Sequence, residues 1–124
     1  MDKKKILIVD DEVSLRRALF DALKTEGNFD LLEAGDGEAA LEIMRKERPD
    51  LVLLDIAMPK MDGMEVARKA QAENLLEKTK IIFLTNSTDI TQIATAVEVG
   101  SSDYLIKADW DMKDILSRVL EKLK

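Results

Sequence analysis

Three short apolar runs, each closing on a polar residue, constrain this chain more than any other feature. They are Lys5-Ile-Leu-Ile-Val-Asp10, Leu51-Val-Leu-Leu-Asp55 and Lys80-Ile-Ile-Phe-Leu-Thr85. Unbroken runs of four or five apolar residues read as strands covered on both faces, as in a parallel sheet. Two runs of mixed polarity, over residues 29–34 and 102–107, read as weaker strands suited to the sheet edges. Helical periodicity fills the intervals. Leu15, Ala18, Leu19, Ala22 and Leu23 form one stripe, and Met112, Ile115, Leu116, Val119, Leu120 and Leu123 form another. Shorter helical patterns occupy 37–47, 63–74 and 90–98, and turn signals such as Gly35-Asp36-Gly37, Pro49-Asp50 and Asp62-Gly63 separate the elements.

Five strand–helix units with right-handed crossovers give an α/β fold, with helices on both faces of a parallel sheet. The flavodoxin-like (βα)5 doubly wound order 2-1-3-4-5 fits best, because it puts the three most apolar strands in the middle. With 124 residues, the chain is the size of one domain, and it shows no linker or internal repeat, so 1–124 is read as a single domain.

Composition then removes whole classes of chemistry. The chain has no cysteine and no histidine, which excludes disulfides, thiolate nucleophiles, histidine-ligated zinc and Ser-His-Asp catalysis. A net charge of −6 argues against direct contact with nucleic acid or an anionic membrane. The amino-terminal segment is too short in apolar residues for a signal peptide or a span, so a cytoplasmic location is expected. What remains is chemistry with carboxylates, hydroxyls, lysine, backbone groups or an oxygen-seeking metal.

In a doubly wound sheet, the carboxyl ends of the strands meet at a crevice beside the topological switch point. Here those ends carry Asp10 and Asp11, Asp55, Thr85 and Lys107. Taken singly, an aspartate after a strand is an ordinary helix N-cap, a lysine there is solvated, and a threonine is a turn residue. Five such groups at one edge are not explained that way. Three neighbouring carboxylates repel one another, and a hard cation such as Mg²⁺ relieves the conflict. A carboxylate held there can attack a phosphoryl group, with the lysine offsetting its charge and the hydroxyl bonding one of its oxygens.

These residues resemble the receiver domain of two-component response regulators. The resemblance covers essentially the whole chain and rests on Asp10-Asp11, on Asp55-Ile-Ala-Met-Pro-Lys-Met-Asp-Gly63, on Thr85, and on Tyr104 three residues before Lys107. It implies a stand-alone phosphorylation switch and not an enzyme. Asp55 would be the phosphoacceptor. Asp11, Asp55 and the backbone carbonyl of Ala57 would coordinate Mg²⁺, with Asp10 acting mainly through water. Lys107 would pair with the phosphoryl group, Thr85 would move toward it, and Tyr104 would swing inward. The output face would combine the helix over 90–98, the fifth strand and the last helix. A sensor histidine kinase or phosphotransfer protein would be the donor and a downstream protein the target, with a phosphorylation-dependent dimer left open.

Plainer readings stand beside these roles. Pro59 and Gly63 serve equally as turn formers, Tyr104 as a half-buried edge residue, and Trp110 as packing or as part of a partner surface. The sequence also departs from the family pattern. Ala108 follows Lys107 where proline, joined by a cis bond, is common. A cis bond before a non-proline residue costs about 2.5–4 kcal/mol, so a trans bond, or a strained cis one, is expected. Asn86 stands where a small residue is usual and would narrow access to Asp55 or contact the phosphoryl group. Ala57 and Ser87 flank the site and are neither acid nor amide, so a long-lived phosphorylated state is expected.

Three rival functions stand against this one. A phosphohydrolase of the haloacid dehalogenase type needs an acid where Ala57 stands. A flavin carrier would find Asp10, Asp11 and Glu12 repelling its phosphate. A receiver-fold scaffold that is never phosphorylated stays open.

Overall fold

The computed structural model describes residues 3–85, 103–106 and 111–123, with Thr85 and 103–106 described by backbone alone. In chain order the elements are β1 (Lys4–Val9), α1 (Val13–Glu26), β2 (Phe29–Ala34), α2 (Gly37–Glu47), β3 (Leu51–Asp55), α3 (Gly63–Ala72), a 3₁₀ turn (Leu75–Glu77), β4 (Lys80–Thr85), β5 (Asp103–Ile106) and a C-terminal helix (Met112–Lys122). The five strands form one parallel sheet in the order β2-β1-β3-β4-β5. The two mixed-polarity runs are the edge strands, as expected.

Alternation along the central strands splits the core in two. Leu7 and Val9, Val52 and Leu54, and Ile81 and Phe83 pack with α2 and α3 through Leu41, Met44, Val66 and Ala67. Ile6 and Ile8, Leu51 and Leu53, and Ile82 and Leu84 pack on the other face with Leu19 and Leu23 of α1 and with Ile115 and Val119 of the C-terminal helix. Residues of both parities are covered, which is why these strands read as unbroken apolar runs and not as alternating ones. Each fully buried aliphatic side chain contributes roughly 1.5–3 kcal/mol.

Two helix stripes need correction in detail. Ala18 is exposed, and the buried side of α1 takes in Phe20 and part of Arg16 instead. Leu120 lies at the exposed margin of the C-terminal helix. Both residues sit at the flank of a stripe, where 100° per residue carries a side chain off the packed face.

Caps set the helix starts. Asp36 accepts the Ala39 N–H at 2.8 Å, and Asp62 accepts the Glu65 N–H at 2.9 Å. The start of β1 is tied to the approach to β3, since Asp50 Oδ2 accepts the Lys5 N–H at 2.8 Å and the Asp50 N–H donates to the Lys5 carbonyl at 2.9 Å. The buried Thr79 hydroxyl donates to the Pro49 carbonyl at 2.6 Å, which ties the approach to β4 to the same turn. No cis peptide bond occurs among the described residues. The Lys107–Ala108 bond, Asn86, Ser87, Trp110 and the helix expected over 90–98 lie outside them.

Candidate functional site

Strands β1 and β3 are adjacent and parallel, with Val9 opposite Leu54. The residues that follow this pair are therefore Asp10 on one strand and Asp55 on the other, side by side at the carboxyl edge. Asp10 and Asp55 are buried, Asp11 is exposed, and one carboxylate oxygen from each of the three lies within 4.8 Å of the others. Distant segments of the chain thus converge as their order in the sheet requires.

Neither acid of the first pair caps α1 in the ordinary way. The N-cap of α1 is Glu12, whose side chain makes no cap bond. Asp10 Oδ1 instead accepts the Glu12 N–H at 2.9 Å, closing a local turn between β1 and α1. The Asp10 N–H extends the sheet by donating to the Ala34 carbonyl at 3.2 Å. Asp55 does not cap α3 either, because Asp62 holds that position.

The loop between β3 and α3 is held tightly. The Met58 and Gly63 N–H groups both donate to the Ile56 carbonyl, at 3.1 and 2.8 Å. Met58 turns inward to the core, Ala57 and Pro59 are exposed, and Lys60 takes a positive φ of 69°. Gly37 supports the loop from α2, where a β-carbon would lie 2.9 Å from the Met61 carbonyl oxygen.

Of the remaining expected site residues, Thr85 is the last residue of β4, paired in register with Ile106 of β5. Tyr104 lies on β5 opposite Phe83. Lys107 follows Ile106 directly and lies outside the described residues.

One residue at the site was not foreseen. Arg16, half-buried on α1, donates from Nη1 to the Asp10 carbonyl at 2.7 Å and from Nε to Glu33 Oε1 of β2 at 3.1 Å. Its i, i+3 spacing from Leu19 was the available signal, since that places it on the flank of the buried face.

A set of three clustered carboxylates, two of them buried, supplies only hard oxygen donors at close range. That donor set fits a hard divalent cation and offers nothing to a soft one. A carboxylate beside such a cation can also act as a nucleophile toward phosphorus.

Comparison with known proteins identifies the family. The family model for the response regulator receiver domain matches residues 6–120. Among curated relatives, a probable transcriptional regulator ycf27 of Porphyridium aerugineum is 40% identical over 124 residues, covering 100% of this chain and 50% of the relative. The DNA-binding response regulator MtrA of Mycolicibacterium paratuberculosis is 38% identical over 98% of this chain and 52% of its own length. The chain therefore spans about half the length of these relatives. Among solved structures, a CheY-like response regulator receiver domain protein from Methanospirillum hungatei superposes with a TM-score of 0.90 at 29% identity, covering 98% of this chain and 94% of that one. The chemotaxis protein CheY4 of Vibrio cholerae gives 0.87 at 28% identity, covering 97% and 98%. With its parallel 2-1-3-4-5 sheet, its acidic cluster at the carboxyl edge and a family match over nearly its full length, this chain belongs to the response regulator receiver domain family.

Proposed function

We propose that the chain is a phosphorylation-dependent switch of a two-component system, with residues 1–124 acting as one receiver domain and Asp55 accepting the phosphoryl group. The donor is a sensor histidine kinase or a phosphotransfer protein. The observation that carries this reading is the approach of the Asp10, Asp11 and Asp55 carboxylates to within 4.8 Å of one another at the ends of neighbouring strands. Neighbouring carboxylates repel one another, a cation among them offsets that repulsion, and such clusters are candidates for chemistry.

Asp10, Asp11, Asp55 and the Ala57 carbonyl are the groups that would hold Mg²⁺. The ion, when bound, offsets negative charge on the incoming phosphoryl oxygens. In the transfer, an Asp55 carboxylate oxygen forms a bond to phosphorus while the donor's P–N bond breaks. Asp55 closes β3, a strand whose five residues are all buried and which is paired on both sides within the sheet. Lys107 is assigned to the phosphoryl oxygens and Thr85 to a hydrogen bond that forms once they arrive. Tyr104 is assigned to the switch.

Phosphorylation adds charge and acceptor oxygens that Thr85 and Lys107 meet in only one arrangement of the chain. That differential contact shifts a pre-existing equilibrium, and a swing from 1:99 to 99:1 takes about 5.5 kcal/mol. The output is a contact with a downstream protein on the face that includes β5 and the C-terminal helix, without direct contact to nucleic acid or membrane. No described helix is long and apolar enough to cross a membrane; action in the cytoplasm is part of the same proposal.

Incubation with acetyl phosphate and Mg²⁺, followed by intact-mass measurement, tests the reading. The native chain gains one phosphoryl group and Asp55→Asn gains none. No gain in the native chain would identify it as a receiver-fold scaffold instead.

A further inference from the structure

Asp10 is 1% exposed and stands just past the end of β1, where its N–H still donates to the Ala34 carbonyl. A buried carbonyl is an obligatory acceptor, and a donor that reaches it holds the main chain in place. Arg16 Nη1 reaches it from the first turn of α1 at 2.7 Å, a charge-assisted bond. The same guanidinium is held from the other side by Glu33 of β2 at 3.1 Å, and Glu33 also meets Arg17 at 3.4 Å. Its underside lies over Gly35, where even a β-carbon would come within 3.1 Å of Nη1. One side chain therefore joins α1, the end of β1 and β2 at the turn that carries Asp10 and Asp11.

We infer that Arg16 is a positioning residue for the cation site: anchored by Glu33, it fixes the Asp10 backbone and so presents the Asp10 and Asp11 carboxylates toward Asp55. This rests on the reading of the acidic cluster as a Mg²⁺ site. Arg16 touches no reacting atom. It acts through the Asp10 main chain, alongside the bond between Asp10 Oδ1 and the Glu12 N–H that closes the same turn.

Electrostatics alone predicts the opposite sign, which makes the inference decidable. Removing the Arg16 charge takes a cation away from the acidic cluster and leaves Glu33 with Arg17 alone, and by Coulomb's law that favours cation binding. Loss of positioning weakens it. Groups that orient metal-binding residues from behind are typically worth 10–100-fold in affinity.

The test is isothermal titration of the whole chain with MgCl₂, well below the melting temperature of each variant, where a general loss of stability does not alter the dissociation constant. Native chain, Arg16→Ala, Arg16→Lys, Glu33→Gln and, as a control for the site, Asp11→Asn are compared. Binding to Arg16→Ala is expected to weaken by about tenfold. Arg16→Lys, which keeps the charge but loses the two-armed bond, weakens in the same direction and decides the matter if the alanine variant does not fold. Glu33→Gln weakens binding less. Unchanged or tighter binding in the arginine variants, with the native chain binding and Asp11→Asn impaired, overturns the role of Arg16 alone. If the native chain takes up no Mg²⁺, the reading of the site falls and the role of Arg16 falls with it.

Discussion

Gly63 packs against the main chain of Asp55 so closely that a β-carbon at position 63 would strike the Asp55 carbonyl oxygen and lie 2.9 Å from the Ile56 α-carbon. The first residue of α3 is thus seated on the strand end that carries the proposed phosphoacceptor, and its N–H donates to the Ile56 carbonyl at 2.8 Å. The obstacle is backbone on both sides, which cannot rotate away. Gly63→Ala is expected to lower stability by about 1–3 kcal/mol in urea unfolding, as overpacking does, and to slow phosphoryl uptake by acetyl phosphate. Native stability in the alanine variant would show that α3 can move off the strand.

Metal should stabilise the chain. A cation that binds only the folded state adds about 2.7 kcal/mol at a hundredfold excess over its dissociation constant, a rise of about 10 °C in melting temperature for a domain of this size. Thermal melts with and without MgCl₂, reversed by a chelator, measure it. Asp11→Asn and Asp55→Asn should each remove most of the shift.

The C-terminal helix should carry an acid-sensitive cap. The Asp111 carboxylate accepts the Asp114 N–H at 2.9 Å, and Asp114 Oδ2 accepts the Asp111 N–H at 3.4 Å. The bond from the Asp114 N–H is the main reason that Asp111 lies below the usual carboxylate range. A carboxylate lowered in the folded state stabilises it fully above the unfolded value of about 3.9, and that stabilisation is lost as pH falls through the lower folded value. Asp111→Ala should therefore lose stability at neutral pH and show a flatter acid limb in pH-dependent melting. Asp111→Asn should keep much of the cap, since asparagine caps without titrating.

The turn at Pro49-Asp50, with Pro49 buried and Asp50 half-buried, should contribute measurably to stability. Asp50 closes two bonds with Lys5, and Thr79 bonds Pro49 within the core. Thr79→Val keeps the shape but removes the donor, and is expected to cost about 1 kcal/mol in urea unfolding. Asp50→Ala should cost somewhat more, because the Lys5 N–H loses a charged acceptor.

How much was legible in advance varied by residue. The runs at 51–55 and 80–85 became β3 and β4 with those same bounds, and 37–47 became α2, because burial on both faces and a capping aspartate each leave a local mark. The run at 5–10 became Lys4–Val9 and the pattern at 63–74 ended at Ala72, since element ends depend on bonds made elsewhere. The convergence of Asp10, Asp11 and Asp55 was legible because strand order alone brings the ends of β1 and β3 together.

Arg16 was not legible, nor was the two-armed bond at 2.7 Å between Arg45 of α2 and Glu73 beyond α3. Ala18 and Leu120 kept the helical period yet came out exposed. Periodicity and capping are properties of a few consecutive residues, and so the sequence by itself determined the described elements, their order and the edge where the acids gather. Which side chains span from one element to another is decided by register and distances between packed elements, and only the tertiary structure sets those. That is why it alone put Arg16 between Asp10 and Glu33, and Gly63 against Asp55.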